Sequence, residues 1–240
     1  VRIAVAGATG VVGAHVVRLA ADAGHDVAPL SRATGTDVAT GAGLADALDG
    51  ADAVVDVLNV STQQTDVAQR WFRRTTEHLS AVARHLVTLS IVGIDGAASG
   101  YYAGKVAQEQ ALAAGPAPWT LLRATQFHEF PGQMARRLGR GPFVVVPAMR
   151  TATVAAAEVA AELVRLAEGP PQGRVPDLAG PQDAELADLV RAELAVQGKR
   201  RLVVRVPLPG TEGRRMRHGL LPGPDARRVG PTFDAWLSSR

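Results

Sequence analysis

Tyr101 and Lys105 stand four residues apart in the stretch YYAGK, and Lys105 is one of two lysines in a chain whose other cationic side chains, histidine aside, are all arginine. On a helix that spacing puts both side chains on one face. The chemistry this pair suits is reduction. Hydride delivered to a carbonyl leaves an alkoxide that needs a proton, and a free phenol, with a pKa of about 10, is a poor donor at neutral pH unless a nearby cation favours the phenolate. Lysine supplies that charge as a compact point with rotatable donors, which arginine's planar fork does not reproduce. Tyr102 is three residues from Lys105 but turned about 100° around the helix from Tyr101, toward the sheet or a pocket wall. Ser90, closing an apolar run, is the candidate hydroxyl for the carbonyl oxygen.

These groups need a scaffold and a hydride source, and the first thirty residues supply signals for both. GATGVVG sets Gly7, Gly10 and Gly13 between a strand pattern and a helix pattern, where a Rossmann unit holds a pyrophosphate. The first glycine allows a tight turn, the second lets backbone approach phosphate, and the third lets helix pack on strand. Exposed N–H groups at the helix start complete the anion site, so Gly7, Thr9, Gly10, Val11, Val12 and Gly13 are the expected cofactor loop. An acid at the end of the second strand would bond both ribose hydroxyls and repel a 2′-phosphate; this chain has Ser31 and Arg32 there. That pair predicts NADPH over NADH, with Arg32 as bidentate partner and Ser31 as a further donor. Asp37 and Val38 are expected beside the adenine, and Asn59 at the carboxyl edge of a strand where ligands collect.

Short apolar runs alternating with helical patterns predict an α/β fold, a Rossmann-type doubly wound parallel sheet with a small C-terminal substrate-cap region. Strands are expected at 2–6, 26–30, near Asp37, at 53–58, 86–90 and 119–123. Helices are expected at 11–23, 44–48, 71–83, 101–113, 153–168 and 183–197, with a short one in TFDAWLSSR. The helix ending near Ala83 leaves an unusually tight corner before the strand at 86. Beyond 125 proline interrupts shorter elements, so one domain is expected, with its core in 1–125 and 151–182 and cap segments in 126–150 and 198–230.

With 47% hydrophobic and 20% charged residues the composition is that of a folded globular chain. Aromatics make up only 4%, so the core must be built from Ala, Val and Leu. The formal charge is +3, but the arginines are scattered, which argues against nucleic acid as partner. There is no cysteine, which excludes a disulfide framework, a thiolate nucleophile and Cys-ligated metal. No His/Asp/Glu spacing suggests a metal. The opening VRIAVAG reads as a core strand rather than a signal peptide, and no apolar run reaches bilayer length. A cytoplasmic protein, monomer or homodimer, acting on a small molecule and without a membrane partner is the expectation.

GATGVVG, LSRA, VVDVLN, LSIVG, YYAGKVAQE and WTLLRATQFHEF together resemble the atypical short-chain dehydrogenase/reductases of the NmrA-like, NAD(P)H-binding group, and the resemblance extends over nearly the whole chain. It implies Tyr101 as the catalytic tyrosine, Lys105 as its lysine and Gly7, Gly10 and Gly13 as the cofactor loop. Ser90 is the counterpart of the family's catalytic hydroxyl, although that hydroxyl often lies slightly later, where this chain has Val92 and Gly93. RATQFHEF matches the loop that covers the nicotinamide and opens the substrate cavity, so Gln126, Phe127, His128 and Phe130 are expected to contact substrate. The resemblance implies an oxidoreductase for a small carbonyl, quinone or enone-like compound. Some members of the group instead bind dinucleotide as redox sensors, and a cofactor-retaining isomerase or epimerase is a further alternative.

Overall fold

In the computed structural model, which describes residues 1–240 apart from the surroundings of Gly219, the elements run in chain order as β1 (Arg2–Ala6), α1 (Val11–Asp22), β2 (Asp26–Leu30), α2 (Leu44–Ala47), β3 (Ala53–Asp56), α3 (Thr65–Ser80), β4 (Leu86–Ile91), α4 (Gly100–Ala114), β5 (Trp119–Ala124), α5 (Phe130–Leu138), β6 (Gly139–Arg140), β7 (Phe143–Pro147), β8 (Arg150–Thr151), α6 (Ala156–Glu168), β9 (Gly173–Arg174), β10 (Leu178–Ala179), β11 (Ala184–Glu185), α7 (Leu186–Val196), β12 (Leu202–Val206), α8 (Gly210–Arg214), β13 (Arg227–Arg228) and α9 (Phe233–Ser238). They fall into two compact units, Val1–Arg123 with Val159–Val175, and Ala124–Glu158 with Pro176–Arg240.

The first unit is a sheet in the order β2-β1-β3-β4-β5, with β9 beside β5. The pairs β1–β2, β1–β3, β3–β4 and β5–β9 are parallel. β3 is buried along its whole length and β1 from Ile3 onward, as strands covered by helices on both faces must be. Ala6 pairs with Leu30 on one side and Asp56 on the other, and Asp56 pairs with Thr88. That register ends β2, β1 and β3 level, so Ser31, Gly7 and Val57 emerge along one edge, while β4 runs on to Ile91. The order reverses between β1 and β3, and the crevice outside such a switch point is where ligands bind in doubly wound sheets.

The core is built as the composition requires, from Ala4, Ala6, Leu30, Val54, Leu79, Leu86, Leu112 and Leu121 among others. α3 and α4 approach closely because position 104 is glycine: a Cβ there would stand 2.8 Å from both Ala68 Cβ and Phe72 Cδ2. This contact fixes the helix that carries Tyr101 and Lys105.

Three expectations are corrected. The strand near Asp37 is a single antiparallel bridge between Asp37 and Ala42. Turn chemistry wins there: Gly35, Gly41 and Gly43 all have positive φ, and the Asp37 carboxylate accepts the Ala39 N–H. The helix expected from Trp71 begins at Thr65, in a polar stretch whose Asp66–Arg70 pair at 2.8 Å supports the first turn. It ends at Ser80 rather than Ala83, so residues 81–85 relieve the tight corner before β4.

In the second unit β12 and β7 are parallel and β6 joins β7 antiparallel, while β11 pairs with β8. Ala124 pairs with Leu178, and β10 with β13 in parallel. Leu189 of α7 packs with Phe233 and Leu237 of α9. The expected cap segments 126–150 and 198–230 lie in this unit. No helix among the described residues is long and apolar enough to cross a membrane.

Candidate functional site

The turn after β1 is one that only glycine permits. Gly7 has φ 91°, and a Cβ on it would lie 2.8 Å from the Val57 carbonyl oxygen; one on Gly13 would lie 2.0 Å from the Gly7 carbonyl oxygen. Gly10 is different. Its N–H donates to the Gly7 carbonyl at 2.9 Å and it caps α1 in extended geometry, while a Cβ on it would meet only that carbonyl, at 3.2 Å. The first intrahelical bond runs from the Ala14 N–H to the Gly10 carbonyl at 3.0 Å, which leaves the N–H groups of Val11, Val12 and Gly13 without helical acceptors. Thr9, Gly10 and Val11 are exposed, and Val12 and Gly13 are buried against the strand. An uncapped helix start with open backbone donors and the positive end of the helix dipole suits an anion.

At the end of β2 the expected residues divide. Arg32 is exposed and its side chain makes no hydrogen bond or ion pair among the described residues, so its guanidinium is available to an anion. The Ser31 hydroxyl is already engaged: it accepts the Thr34 N–H at 3.3 Å and caps the turn Arg32–Thr34, with the Thr34 hydroxyl accepting the Ser31 N–H in return. Asp37 serves the turn described above rather than a strand. Val38 is a buried core residue whose carbonyl accepts from His78 Nδ1 at 2.8 Å. Asn59 is exposed, three residues past the end of β3.

Tyr101 and Lys105 do share a helix face, and both pack on Phe72 of α3: the Tyr101 ring lies edge-on at 5.7 Å, and Lys105 Nζ sits 4.8 Å from the ring centroid. Their polar ends diverge. Lys105 Nζ donates to the Leu89 carbonyl at 2.7 Å. Burial lowers its pKa to about 8, although Asp56 and Glu109 act in the opposite direction. Burial, helped by Tyr102, holds the Tyr101 phenol above the ordinary range, and Lys105 contributes nothing to that shift. The expected lowering of the phenol pKa by the ammonium is therefore corrected: the lysine's hydrogen bond goes to β4. Tyr102 meets the Tyr101 ring at 6.0 Å. Ser90, next to Leu89 on β4, is 2% exposed, and its Oγ is buried without a hydrogen-bond partner. An unpaired buried hydroxyl is costly unless a ligand or water completes it.

Residues 124–130 of RATQFHEF lie in the second unit. The Gln126 side-chain oxygen accepts from the Thr151 hydroxyl, Phe127 bridges to Val154, and Phe130 opens α5. His128 is fully buried: Nδ1 accepts from the Thr153 hydroxyl at 2.9 Å, and Nε2–H donates to the Pro231 carbonyl at 3.2 Å. Its ring lies edge-on to Phe233 at 5.5 Å and tilted against Trp236 at 5.1 Å. Both nitrogens are used in fastening the C-terminal segment, so the expected substrate contact from His128 is corrected to a structural one. A cavity of about 310 Å³ in this unit is lined by Thr153, Gln182, Asp188, Leu189 and Phe233 among others, and by no residue of 126–130. Replacing His128 by Ala is expected to destabilise the protein by about 2–3 kcal/mol, since it strands two buried partners, as read from denaturant unfolding. Burial holds the pKa of His128 and His85 below 6.5. Their contribution to stability is accordingly complete above pH 6.5 and is lost as pH falls below it; His128→Gln should flatten part of that loss.

Two polar clusters were not among the expected site residues. Asp56, fully buried at the end of β3, accepts from Gln108 Nε2 at 2.8 Å and from the Leu58 N–H at 3.1 Å. Its signal is a carboxylate inside the apolar run VVDVL, where a charge requires a buried partner. Arg123, 4% exposed, bonds both oxygens of Asp95 and of Glu109, the shortest contact being 2.6 Å. That network joins β5 to α4. No group of three or more His, Asp or Glu side chains able to hold a metal occurs among the described residues.

A parallel sheet in this order, with a glycine turn leading from its first strand into a helix start that no side chain caps, is a Rossmann-type fold. It is the fold seen in short-chain dehydrogenase/reductase proteins. The chain is similar in structure to MoeE5 in complex with UDP-glucose and NAD, with TM-score 0.75 and 16% identity over 99% of this chain and 96% of that one. It is similar to a short-chain dehydrogenase/reductase superfamily protein from Agrobacterium tumefaciens with bound NAD, with TM-score 0.68 and 18% identity over 100% and 95%. It is likewise similar to a dTDP-4-dehydrorhamnose reductase from Bacillus anthracis in complex with NADP, with TM-score 0.71 and 14% identity over 98% and 96%. No protein-family model and no curated protein sequence matches the chain.

Proposed function

We propose that the chain is an NADPH-dependent oxidoreductase of the NmrA-like kind, reducing a small carbonyl, quinone or enone-like compound. The observation that carries this reading is the pairing of an open helix start at Gly10–Gly13 with an unpaired Arg32 at the neighbouring strand end. Similar folds are solved with NAD or NADP, which supports a nicotinamide dinucleotide here. The residues fit such a group: the N–H groups of Val11, Val12 and Gly13 would hold the pyrophosphate, Arg32 a 2′-phosphate, and Lys105 with Ser90 the reacting end. When bound, the nicotinamide supplies a hydride.

The chain's own part is the proton. Tyr101 donates from its phenol to the oxygen that receives negative charge, and Ser90 Oγ offers that oxygen a hydrogen bond. The raised phenol pKa gives this a direction. An alkoxide is a base of about hydroxide strength, so a phenol even above its ordinary range still protonates it. Oxidation of an alcohol would instead need the phenolate, which burial disfavours. Reduction is thus the favoured direction near neutral pH, and the reverse reaction should rise steeply as pH increases.

One observation favours a second reading. Lys105 is committed to the Leu89 carbonyl and does not assist Tyr101, as would suit a protein that binds NADP(H) to sense redox state. Incubating the protein with NADPH and a panel of carbonyls, quinones and enones separates the readings. Consumption of NADPH with at least one compound supports the reductase. Tight binding without consumption supports the sensor, and product formation without net consumption would mark an isomerase or epimerase, the activity named for another protein of similar fold.

A further inference from the structure

We propose that Asp56 is a positioning residue, which keeps Lys105 charged and ties the Lys105-bearing helix to the backbone behind the glycine loop. Its two oxygens face in two directions. Oδ1 accepts the Leu58 N–H at 3.1 Å, and it is the Val57–Leu58 backbone that crowds Gly7, within 2.8 Å and 3.1 Å of where a Cβ would stand. Oδ2 accepts from Gln108 Nε2 at 2.8 Å, and Gln108 is three residues after Lys105 on α4, hence on the same flank. One carboxylate thus touches the strand edge that shapes the cofactor turn and the helix that carries the Tyr/Lys pair.

The charges around Lys105 support the same assignment. From β3 it faces Asp56; from α4, Glu109; from α3, the Phe72 ring; from β4, the Leu89 carbonyl. Glu109 is already bound to Arg123 at 2.6 Å and 2.8 Å. Asp56 is the buried countercharge, with no ion pair to another cation among the described residues. Both its oxygens accept N–H donors, which favours the ionised form, although burial pushes its pKa up. Without it, the ammonium would keep its desolvation cost and lose its main compensation.

The functional meaning rests on the reading of Lys105 as the lysine that holds the cofactor, but the charge coupling can be measured apart from it. The chain has two lysines, so a sample labelled with ¹³C at lysine Cε gives two resonances, and Lys199→Arg assigns them. In the wild type the Lys105 resonance should titrate at a pH of about 8. In Asp56→Asn, whose amide can keep both hydrogen bonds if Gln108 turns its own amide over, the midpoint should fall by about 1 unit or more. Asp56→Ser, which also removes the charge, serves if the Asn variant does not fold. NADPH affinity of the variant should then be weaker than wild type at about pH 8 and recover toward it at a pH about 1 unit below the variant's own midpoint, where Lys105 is mostly protonated in both. A purely structural defect would not recover. An unchanged Lys105 midpoint, or a deficit equal at both pH values, would overturn the proposal. If instead the midpoint moves but NADPH leaves the wild-type Lys105 resonance undisturbed, the charge coupling stands and the reading of Lys105 as a cofactor ligand falls.

Discussion

Gly13→Ala is expected to cost about 1–3 kcal/mol of stability and to remove NADPH binding. The added methyl would stand 2.0 Å from the Gly7 carbonyl oxygen, and that atom is backbone, so no side chain can turn aside. Either α1 lifts from the strand or the turn at Gly7 unwinds, and in both cases the N–H groups of Val11–Gly13 leave the place where they converge. Gly10→Ala is the informative contrast. Its methyl meets only the Gly7 carbonyl at 3.2 Å, so the fold should persist, whereas the open approach for a phosphate is narrowed. Thermal melting with and without NADPH reads both. Gly13→Ala should melt lower and show no ligand-induced rise, while Gly10→Ala should melt near wild type with a reduced rise. A Gly13→Ala protein with wild-type melting and binding would contradict the role given to this turn.

Tyr101→Phe should lower reductive turnover by about 10²–10⁴-fold, the range of a lost general acid, while leaving NADPH affinity and melting close to wild type. The separation is favourable because the ring, which packs 5.7 Å from Phe72, is retained and only the hydroxyl is removed. Tyr102→Phe should leave most turnover. On the compound that the wild type reduces fastest, a Tyr101→Phe enzyme with undiminished turnover would remove Tyr101 as proton donor, and equal losses in both variants would leave the two phenols undistinguished.

The sheet was legible because its strands are short apolar runs with punctuation on both sides. β1, β2 and β5 lie within a residue of where their runs predict them, and the three glycines announce the tight turn after β1 by spacing alone. The region of Asp37 was misread because its Asp and glycines serve a local turn, which a strand reading overlooks. Helical spacing correctly put Tyr101 and Lys105 on one face, but spacing says nothing of where a four-carbon side chain ends. The buried Leu89 carbonyl claims the ammonium, and that is a tertiary fact. His128 reads as a pocket residue in RATQFHEF because the sequence does not show that Thr153 and Pro231, far along the chain, occupy both of its nitrogens. Asp56 shares its run with Asn59, and an acid flanked by valines is the stronger sign of a buried partner.

The central claim is that this Rossmann turn binds NADP(H) and that Arg32 selects it. Calorimetric titration of the wild type and Arg32→Ala with NADPH and with NADH tests it most directly. A charge-assisted contact to the 2′-phosphate is worth about 1.5–3 kcal/mol, so the wild type should bind NADPH about ten- to hundredfold more tightly than NADH. Arg32→Ala should lose that advantage while keeping its NADH affinity. Equal wild-type affinity for the two, or an NADPH preference that survives in Arg32→Ala, would contradict the account.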